Sequence, residues 1–391
     1  MTCNRLALFL IKALACVALA APPIAAGASN DSKAREILAQ AERVADWQFA
    51  YLEDPSPAAT ALRATAPPLG WVQGAMYVGV TSLADHSGNP KYAEAVYAHG
   101  MRNHWGLAER TFHADDHVIG QTWIWAYEHQ HDPQMIASLR ERFDSIIAAA
   151  PGNSLDFSPP VEGMESGCQL RWCWCDALFM APPAWIALSR VTGDPKYLAY
   201  ADREYWATVE KLFDKNAGLF YRDTRFFDRR GEHGEKLFWS RGNGWVYAGL
   251  ARVLAMLPAD HVSRPRYEAL FKQMSVALVA LQKPDGYWPP SLLQPAKGTP
   301  PETSGTGFFT YGLAAGVKSG LLPQRKYRKA AQKGWSALNR AVQPDGKLGW
   351  VQPIGAAPGK VNADDTQLFG VGAYLLAATA MCDLYGCAKP Q

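Results

Sequence analysis

Twelve residues, Trp172-Cys-Trp-Cys-Asp-Ala-Leu-Phe-Met-Ala-Pro-Pro183, set a single acid, Asp176, among indoles, thiols and an apolar run. A carboxyl group so placed is either hydrogen-bonded and structural, or a proton donor whose pKa is raised by desolvation. Other stretches supply partners. His113-Ala-Asp-Asp-His117 holds two adjacent acids, Asp115 and Asp116, and a histidine, His117, with Gln121 shortly after. Phe238-Trp-Ser-Arg-Gly-Asn-Gly-Trp245 sets Arg241 beside two glycines and between Trp239 and Trp245. The planar fork of an arginine suits a carboxylate, in a ligand or in a structural ion pair. Asp364 and Asp365 form another acidic pair. For Asp115, Asp364 and Asp365, capping a helix competes with chemistry, because acids at a helix start meet its dipole. Asp176 lies within Trp174–Phe179, where capping is less natural. Two acids can work as acid and base across a glycosidic bond. The 14 tryptophans are mostly core, but indoles also stack on the C–H faces of sugars. Acids, an arginine and indoles together describe a saccharide site that accepts a negative charge, and Arg241 points to a uronate.

These residues sit at the starts of repeated apolar segments. The openings are Trp71-Val-Gln-Gly74, His117-Val-Ile-Gly120, Trp174-Cys-Asp-Ala177, Arg241-Gly-Asn-Gly244, Gly305-Thr-Gly-Phe308 and Asp364-Asp-Thr-Gln367, about fifty to seventy residues apart. Most are followed by a Pro- or Tyr-marked start of a more polar helix, such as Gly88-Asn-Pro-Lys-Tyr92 and Gly193-Asp-Pro-Lys-Tyr197. The apolar members, rich in Gly and Ala, read as inner helices, and the charged members as outer ones. Six helical hairpins closing on themselves give an all-α (α/α)6 barrel. An open solenoid would need a polar terminal cap, which the last copy lacks. The inner-helix starts then converge on one mouth carrying Trp71, Asp115, Asp116, His117, Asp176, Arg241, Asn243, Thr306, Asp364 and Asp365.

A first helix is expected over 33–54 with Asp31 as its cap, and Pro55 to Pro68 reads as a long loop. Residues 219–238 and 287–301 read as loops or small hairpins at one rim. No linker separates two domains, so residues 29–391 are expected as one catalytic domain.

Composition narrows the class. A chain 48% hydrophobic with a net charge of +3 is globular, and it has no basic arm for nucleic acid. Residues 1–28 read as a cleavable export signal, with Arg5, an apolar run and Ala26-Gly27-Ala28. Cys16 follows Leu14-Ala15, but Ala13 stands where a lipoprotein site has Leu. No later run is long enough for a membrane span. The expected location is periplasmic or secreted. Five cysteines remain after the leader, an odd count, with Cys168–Cys173 or Cys382–Cys387 as possible disulfides there. The Cys168, Cys173 and Cys175 spacing lacks a second ligand pair, so no metal and no organic cofactor are expected.

The stretches His113–Gln121, Trp174–Pro182, Phe238–Trp245 and Glu302–Phe308 together resemble the unsaturated glucuronyl and rhamnogalacturonyl hydrolases, glycoside hydrolase families 88 and 105, with the likeness closest to family 105. It covers nearly all of the chain after the leader, and the family fold is the (α/α)6 barrel. The resemblance implies a substrate left by a polysaccharide lyase, with a C4=C5 double bond in its non-reducing uronate. It maps the family's catalytic acid onto Asp176 and the second acid onto Asp115 or Asp116. Arg241 with Trp239 or Trp245 would hold the uronate, with His117, Gln121, Trp71, Trp174 and Arg222 as further contacts. Arg222 stands where some relatives have His, and Gln294 where an acid is expected. Three other readings use the same residues: an inverting glycosidase acting through Asp176 and Asp116, a polysaccharide lyase, and a glycan-binding protein without turnover.

Overall fold

The computed structural model describes residues 24–152, 154–158, 167–295 and 298–387. The leader expected over 1–28 lies outside them up to residue 23. Helices dominate: α1 (Ile24–Glu53), α2 (Pro57–Thr65), α3 (Trp71–Ser87), α4 (Lys91–Arg102), α5 (Gly120–Gln130), α6 (Gln134–Ala149), α7 (Ala177–Met180), α8 (Pro182–Thr192), α9 (Pro195–Leu212), α10 (Ser240–Met256), α11 (Arg264–Leu281), α12 (Thr303–Lys318), α13 (Gln324–Ala341) and α14 (Leu368–Leu384). Helix α1 starts before Asp31, which is internal rather than a cap. The stretch expected as a loop contains α2. There Ser56 Oγ accepts the Ala59 N–H at 3.3 Å and Pro57 presets the first turn, so a local cap signal outweighs the Pro-rich composition.

The inner helices form a closed ring. Helix α3 packs on α5, α5 on α8, α7 and α8 on α10, α10 on α12, α12 on α14, and α14 back on α3. Each has an outer partner: α4, α6, α9, α11 and α13 follow their inner helices, while α14 takes α1 from the other end of the chain. This is the (α/α)6 barrel. The sixth outer helix precedes the first inner one, which is why the last apolar copy shows no polar partner after it.

Composition explains which helices go inside. Every residue of α14 from Leu368 to Cys382 is buried, so no polar stripe is needed. Closure depends on small residues. A Cβ on Gly79 would lie 2.6 Å from the Gly372 carbonyl oxygen, and one on Gly372 would strike the Ala75 carbonyl. The third inner helix is broken at Ala181, because Pro182 has no N–H to donate and its ring blocks the preceding turn. Trp174–Asp176 precede the short α7 and lie outside regular α-helix.

Two rim segments complete the frame. Strands β1 (Phe213–Asp214) and β2 (Leu219–Phe220) pair antiparallel, and Trp239 bridges Ser291. Asn243 clamps the hairpin, since its Oδ1 accepts the Phe220 N–H at 2.8 Å and its Nδ2 donates to the Phe220 carbonyl at 3.0 Å. Disulfides join Cys168 to Cys173 and Cys382 to Cys387, leaving Cys175 as a buried thiol. Among the described residues no helix is long and apolar enough to cross a membrane.

Candidate active site

Asp176 occupies the position before α7, yet its side chain caps nothing. The carboxylate instead accepts the Cys175 thiol at 3.5 Å and lies 3.6 Å from Arg222 Nε. Asp176 is only 8% exposed. Burial pushes its pKa up and the neighbouring Asp115 carboxylate adds to that, while Arg222, a backbone hydrogen bond and Arg241 pull it down; the net shift is upward.

The β1–β2 hairpin delivers Arg222 to it. The Arg222 carbonyl accepts the Cys175 N–H at 2.8 Å, so the two stretches are stitched together next to the acid. Arg222 Nη1 donates to Asp223 Oδ2 at 2.7 Å, and Arg225 grips the same carboxylate through Nε at 2.9 Å and Nη2 at 2.8 Å. Burial pulls the Asp223 carboxyl up, but the hydrogen bonds from Arg225 and Arg222 outweigh it and hold the acid ionised. Arg222 is thus fixed at one end by Asp223, while its Nε, buried and without a hydrogen-bond partner among the described residues, faces Asp176.

The two candidate second acids have different fates. Asp116, 2% exposed, is clamped by Arg110 through Nη2 at 2.5 Å, Nε at 3.2 Å and the backbone N–H at 2.9 Å. Its lone pairs hold the rim together. Asp115 is the acid whose field reaches Asp176. Burial raises its pKa to about 6, with Asp116 adding, against Arg110, Arg222 and a hydrogen bond from Trp174. Nor does Asp115 cap α5, which starts at Gly120. His113 Nδ1 accepts the Asp115 N–H at 3.3 Å and lies 3.7 Å from Asp115 Oδ2. Burial and Arg110 drop the His113 pKa to about 3 despite Asp116, so the ring is neutral and this contact is no ion pair. The ring packs on Trp174, with centroids 4.7 Å apart.

Arg241 is 1% exposed and, among the described residues, no carboxylate lies at ion-pair distance from it. Its Nη1 and Nη2 donate to the Gln352 and Pro353 carbonyls at 2.6 and 2.8 Å, and the guanidinium lies over Trp239 and Phe369. Burial lowers its pKa to about 10, against the pull of Glu302 and Asp176. It is a fixed positive charge behind the site. Trp239 donates to Gln352 Oε1 at 3.1 Å. Trp71 is half-buried, stacks on Phe369 at 5.2 Å, and lines a cavity of about 750 Å³ that also reaches Leu107, Arg110 and Asp116. The acids in its lining are Glu109 and Asp116.

Other candidates are occupied elsewhere. His117, 1% exposed, has Nε2 on the Thr111 carbonyl at 3.0 Å and Nδ1 accepting from Trp185 at 3.4 Å. Gln121 donates to the Phe179 carbonyl and accepts from Arg252, tying α5 to α7 and α10. Trp245 is core, packed on Phe308, Phe179 and Trp71. Thr306 accepts the Trp288 N–H and donates to the Glu302 carbonyl. Asp364 is exposed, and Asp365 accepts from the Asn362 N–H at 2.7 Å, while α14 starts only at Leu368 with Gln367 before it. Neither caps it.

Four groups escaped the sequence reading. His113 opens the His113–Gln121 stretch, where the adjacent acids and His117 carry the stronger signal. Asp223 had one signal, its place in Arg222-Asp-Thr-Arg225, where an acid two residues before an arginine can hold both neighbours. Glu302 is fully buried and caps α12 through the Ser304 and Gly305 N–H groups at 2.9 and 2.7 Å. The clamp by Arg110 had no signal, because its partner follows six residues later across an irregular turn. Among the described residues no cluster of three His, Cys, Asp or Glu side chains is arranged to hold a metal ion.

Comparison with known proteins follows the same lines. The family model described as Glycosyl Hydrolase Family 88 matches residues 40–385. A protein of Alteromonas sp. (strain LOR) named unsaturated 3S-rhamnoglycuronyl hydrolase is 42% identical over 90% of this chain and 86% of its own. A solved structure described as a glycosyl hydrolase family 88 protein from Bacteroides vulgatus superposes with a TM-score of 0.77 at 30% identity, covering 90% of this chain and 99% of that one. Another, named a polysaccharide lyase, gives 0.78 at 30% identity, covering 92% and 100%.

Proposed function

The chain belongs to glycosyl hydrolase family 88, and on that premise we propose that it removes a Δ4,5-unsaturated uronic acid from the non-reducing end of lyase-generated oligosaccharides. The name of the Alteromonas relative supports a rhamnose next to that uronate. The observation that carries the reading is one buried carboxyl of raised pKa, Asp176, set 3.6 Å from a cation that is itself anchored by another acid.

In the proposed reaction the protonated Asp176 gives its proton to C4, and the double-bond electrons form the new C–H bond. Positive charge develops at C5 and is shared with the ring oxygen. The Asp176 carboxylate, now facing Arg222, takes a proton from a water whose oxygen adds to C5. The C5 hemiketal opens to a ketone, and the exposed hemiacetal at C1 expels the aglycone. One carboxyl serves as acid and then as base. Arg222 stabilises its ionised form between the steps, and Asp115 keeps it protonated at the start. Trp71 would carry the sugar face at the cavity beside Arg110.

Asp116 is held by Arg110, which weighs against a glycosidase that pairs it with Asp176. A lyase would create the double bond rather than consume it, so one assay separates the two. Ultraviolet absorbance of the unsaturated uronate is expected to fall with wild-type protein on an unsaturated rhamnose-containing disaccharide, and to persist with Asp176→Asn. A rise in absorbance on the intact polymer would instead establish a lyase, and no change on any substrate with retained binding a lectin.

The same proposal takes residues 29–391 as one exported catalytic domain, released after the leader to the periplasm or beyond. The two disulfides support an oxidising compartment, and α1 packing on α14 supports a single unit.

A further inference from the structure

The outer wall of the barrel carries a charge asymmetry that the reaction does not use. Helix α13 bears six cations, Arg325, Lys326, Arg328, Lys329, Lys333 and Arg340, and no acid. The chain nets +3, so everything outside this helix nets −3. Every other outer helix mixes signs or carries acids; α11, for example, pairs Arg264 and Lys272 with Glu268. On α13 no cation pairs with a carboxylate among the described residues. Arg340 donates to the Ser336 and Asp285 carbonyls and Arg328 to that of Leu384.

The cations are also ordered. Arg325, Lys329, Lys333 and Arg340 fall on one helical face at spacings of four and seven residues, a ladder about 22 Å long at 1.5 Å per residue. Beside it, between α1 and α13, lies a cavity of about 550 Å³. Lys33, Arg43 and Arg340 line it with Ser336, Asn339 and Tyr385, against one acid, Glu36. Lys33 and Arg328 both approach the Tyr385 ring, at 5.5 and 5.2 Å. A cationic groove with hydroxyl, amide and aromatic groups matches an acidic glycan: charge for its anionic groups, hydrogen bonds for its hydroxyls, a ring for its sugar face. A membrane surface would find little apolar to receive it, since the groove's Ile37 and Trp335 are only 5% and 8% exposed.

We propose that the α13 face is a second, non-catalytic binding surface for an acidic polysaccharide. It would hold the polymer whose lyase-cut ends the ring mouth consumes, raising their effective concentration at the mouth. Naming that polymer rests on the proposed reaction; the affinity of the face for a polyanion does not.

The test is electrophoresis through gels containing polygalacturonate or dextran sulfate, alongside sedimentation with phosphatidylserine vesicles, for wild type and Arg325→Glu/Lys329→Glu/Lys333→Glu. Wild type is expected to be retarded by the polysaccharides at low salt and released at high salt, as surface charges are screened. The variant is expected to lose the retardation and to keep wild-type turnover of an unsaturated disaccharide, while its KM for long unsaturated chains rises. A Lys329→Gln/Lys333→Gln variant should fall between the two, which guards against misfolding of the triple variant. Equal retardation of wild type and variants, or no retardation of wild type, overturns the surface; so does binding to vesicles alone. If wild type is retarded yet turns over no unsaturated uronide, the surface stands and the proposed reaction falls.

Discussion

At the scale of single residues, Asp176 is flanked by charges of opposite sign, so its titration can be moved in both directions. Turnover requires its proton at the first step, so kcat/KM should fall as pH rises through its pKa. Asp115 raises that pKa, and Arg222 lowers it. Asp115→Asn should therefore shift the alkaline limb of the pH profile to lower pH, and Arg222→Met should shift it to higher pH. Parallel shifts, or none, in the two profiles would show that these groups do not set the acid. Asp115 also carries a stability consequence. Its folded pKa of about 6 lies above the ordinary 3.8, so its contribution is fully present below 3.8 and is lost as pH rises through about 6. The loss at neutral pH amounts to at most about 3 kcal/mol. Asp115→Asn should thus raise the Tm at neutral pH, with the gain shrinking as pH approaches 3.8; a Tm gain independent of pH would contradict the assignment. The burial of Asp176 was legible in the sequence, because an acid among indoles and apolar residues sits in a stretch bound for the core. The choice between Asp115 and Asp116 was not, since it turns on which of them Arg110 reaches across an irregular turn.

The elements place these residues through breaks and close contacts. Asp176 precedes the short α7, which Pro182 ends early, while Asn243 pins the hairpin that brings Arg222 to it. Ring closure rests on α3 against α14, where Gly79 and Gly372 let two backbones meet. A side chain at Gly372 has only backbone to displace, so Gly372→Val should cost more than about 3 kcal/mol of stability. Thermal unfolding would show it as a large drop in Tm, and a drop no larger than that of an exposed control with open space around it, such as Gly152→Val, would mean that the ring does not close there. The inner helices and their order were readable from six apolar openings at a regular period. The origin of the sixth outer helix was not, because α1 and α14 lie at opposite ends of the chain and no local pattern pairs them. His117, Gln121 and Trp245 were read as ligand contacts because they share the mouth-facing segments; side-chain direction, which a period does not encode, turns them into the core.

At the scale of the whole molecule, the ring gathers its candidate reactive groups at one mouth and a run of six cations on one outer helix. The mouth supplies two acids of raised pKa, an anchored arginine beside them and a buried arginine behind them, an arrangement suited to an anionic substrate that must be protonated at carbon. The central claim is that Asp176 hydrates the double bond and that the glycosidic bond breaks only afterwards. It is tested most directly with an unsaturated disaccharide whose glycosidic oxygen is replaced by sulfur, which resists acid-assisted departure of the aglycone. Wild-type protein should remove the ultraviolet absorbance of this thioglycoside at a rate comparable to the oxygen-linked substrate, and Asp176→Asn should remove neither. Cleavage of the oxygen-linked compound with the double bond of the thioglycoside left intact would contradict the account.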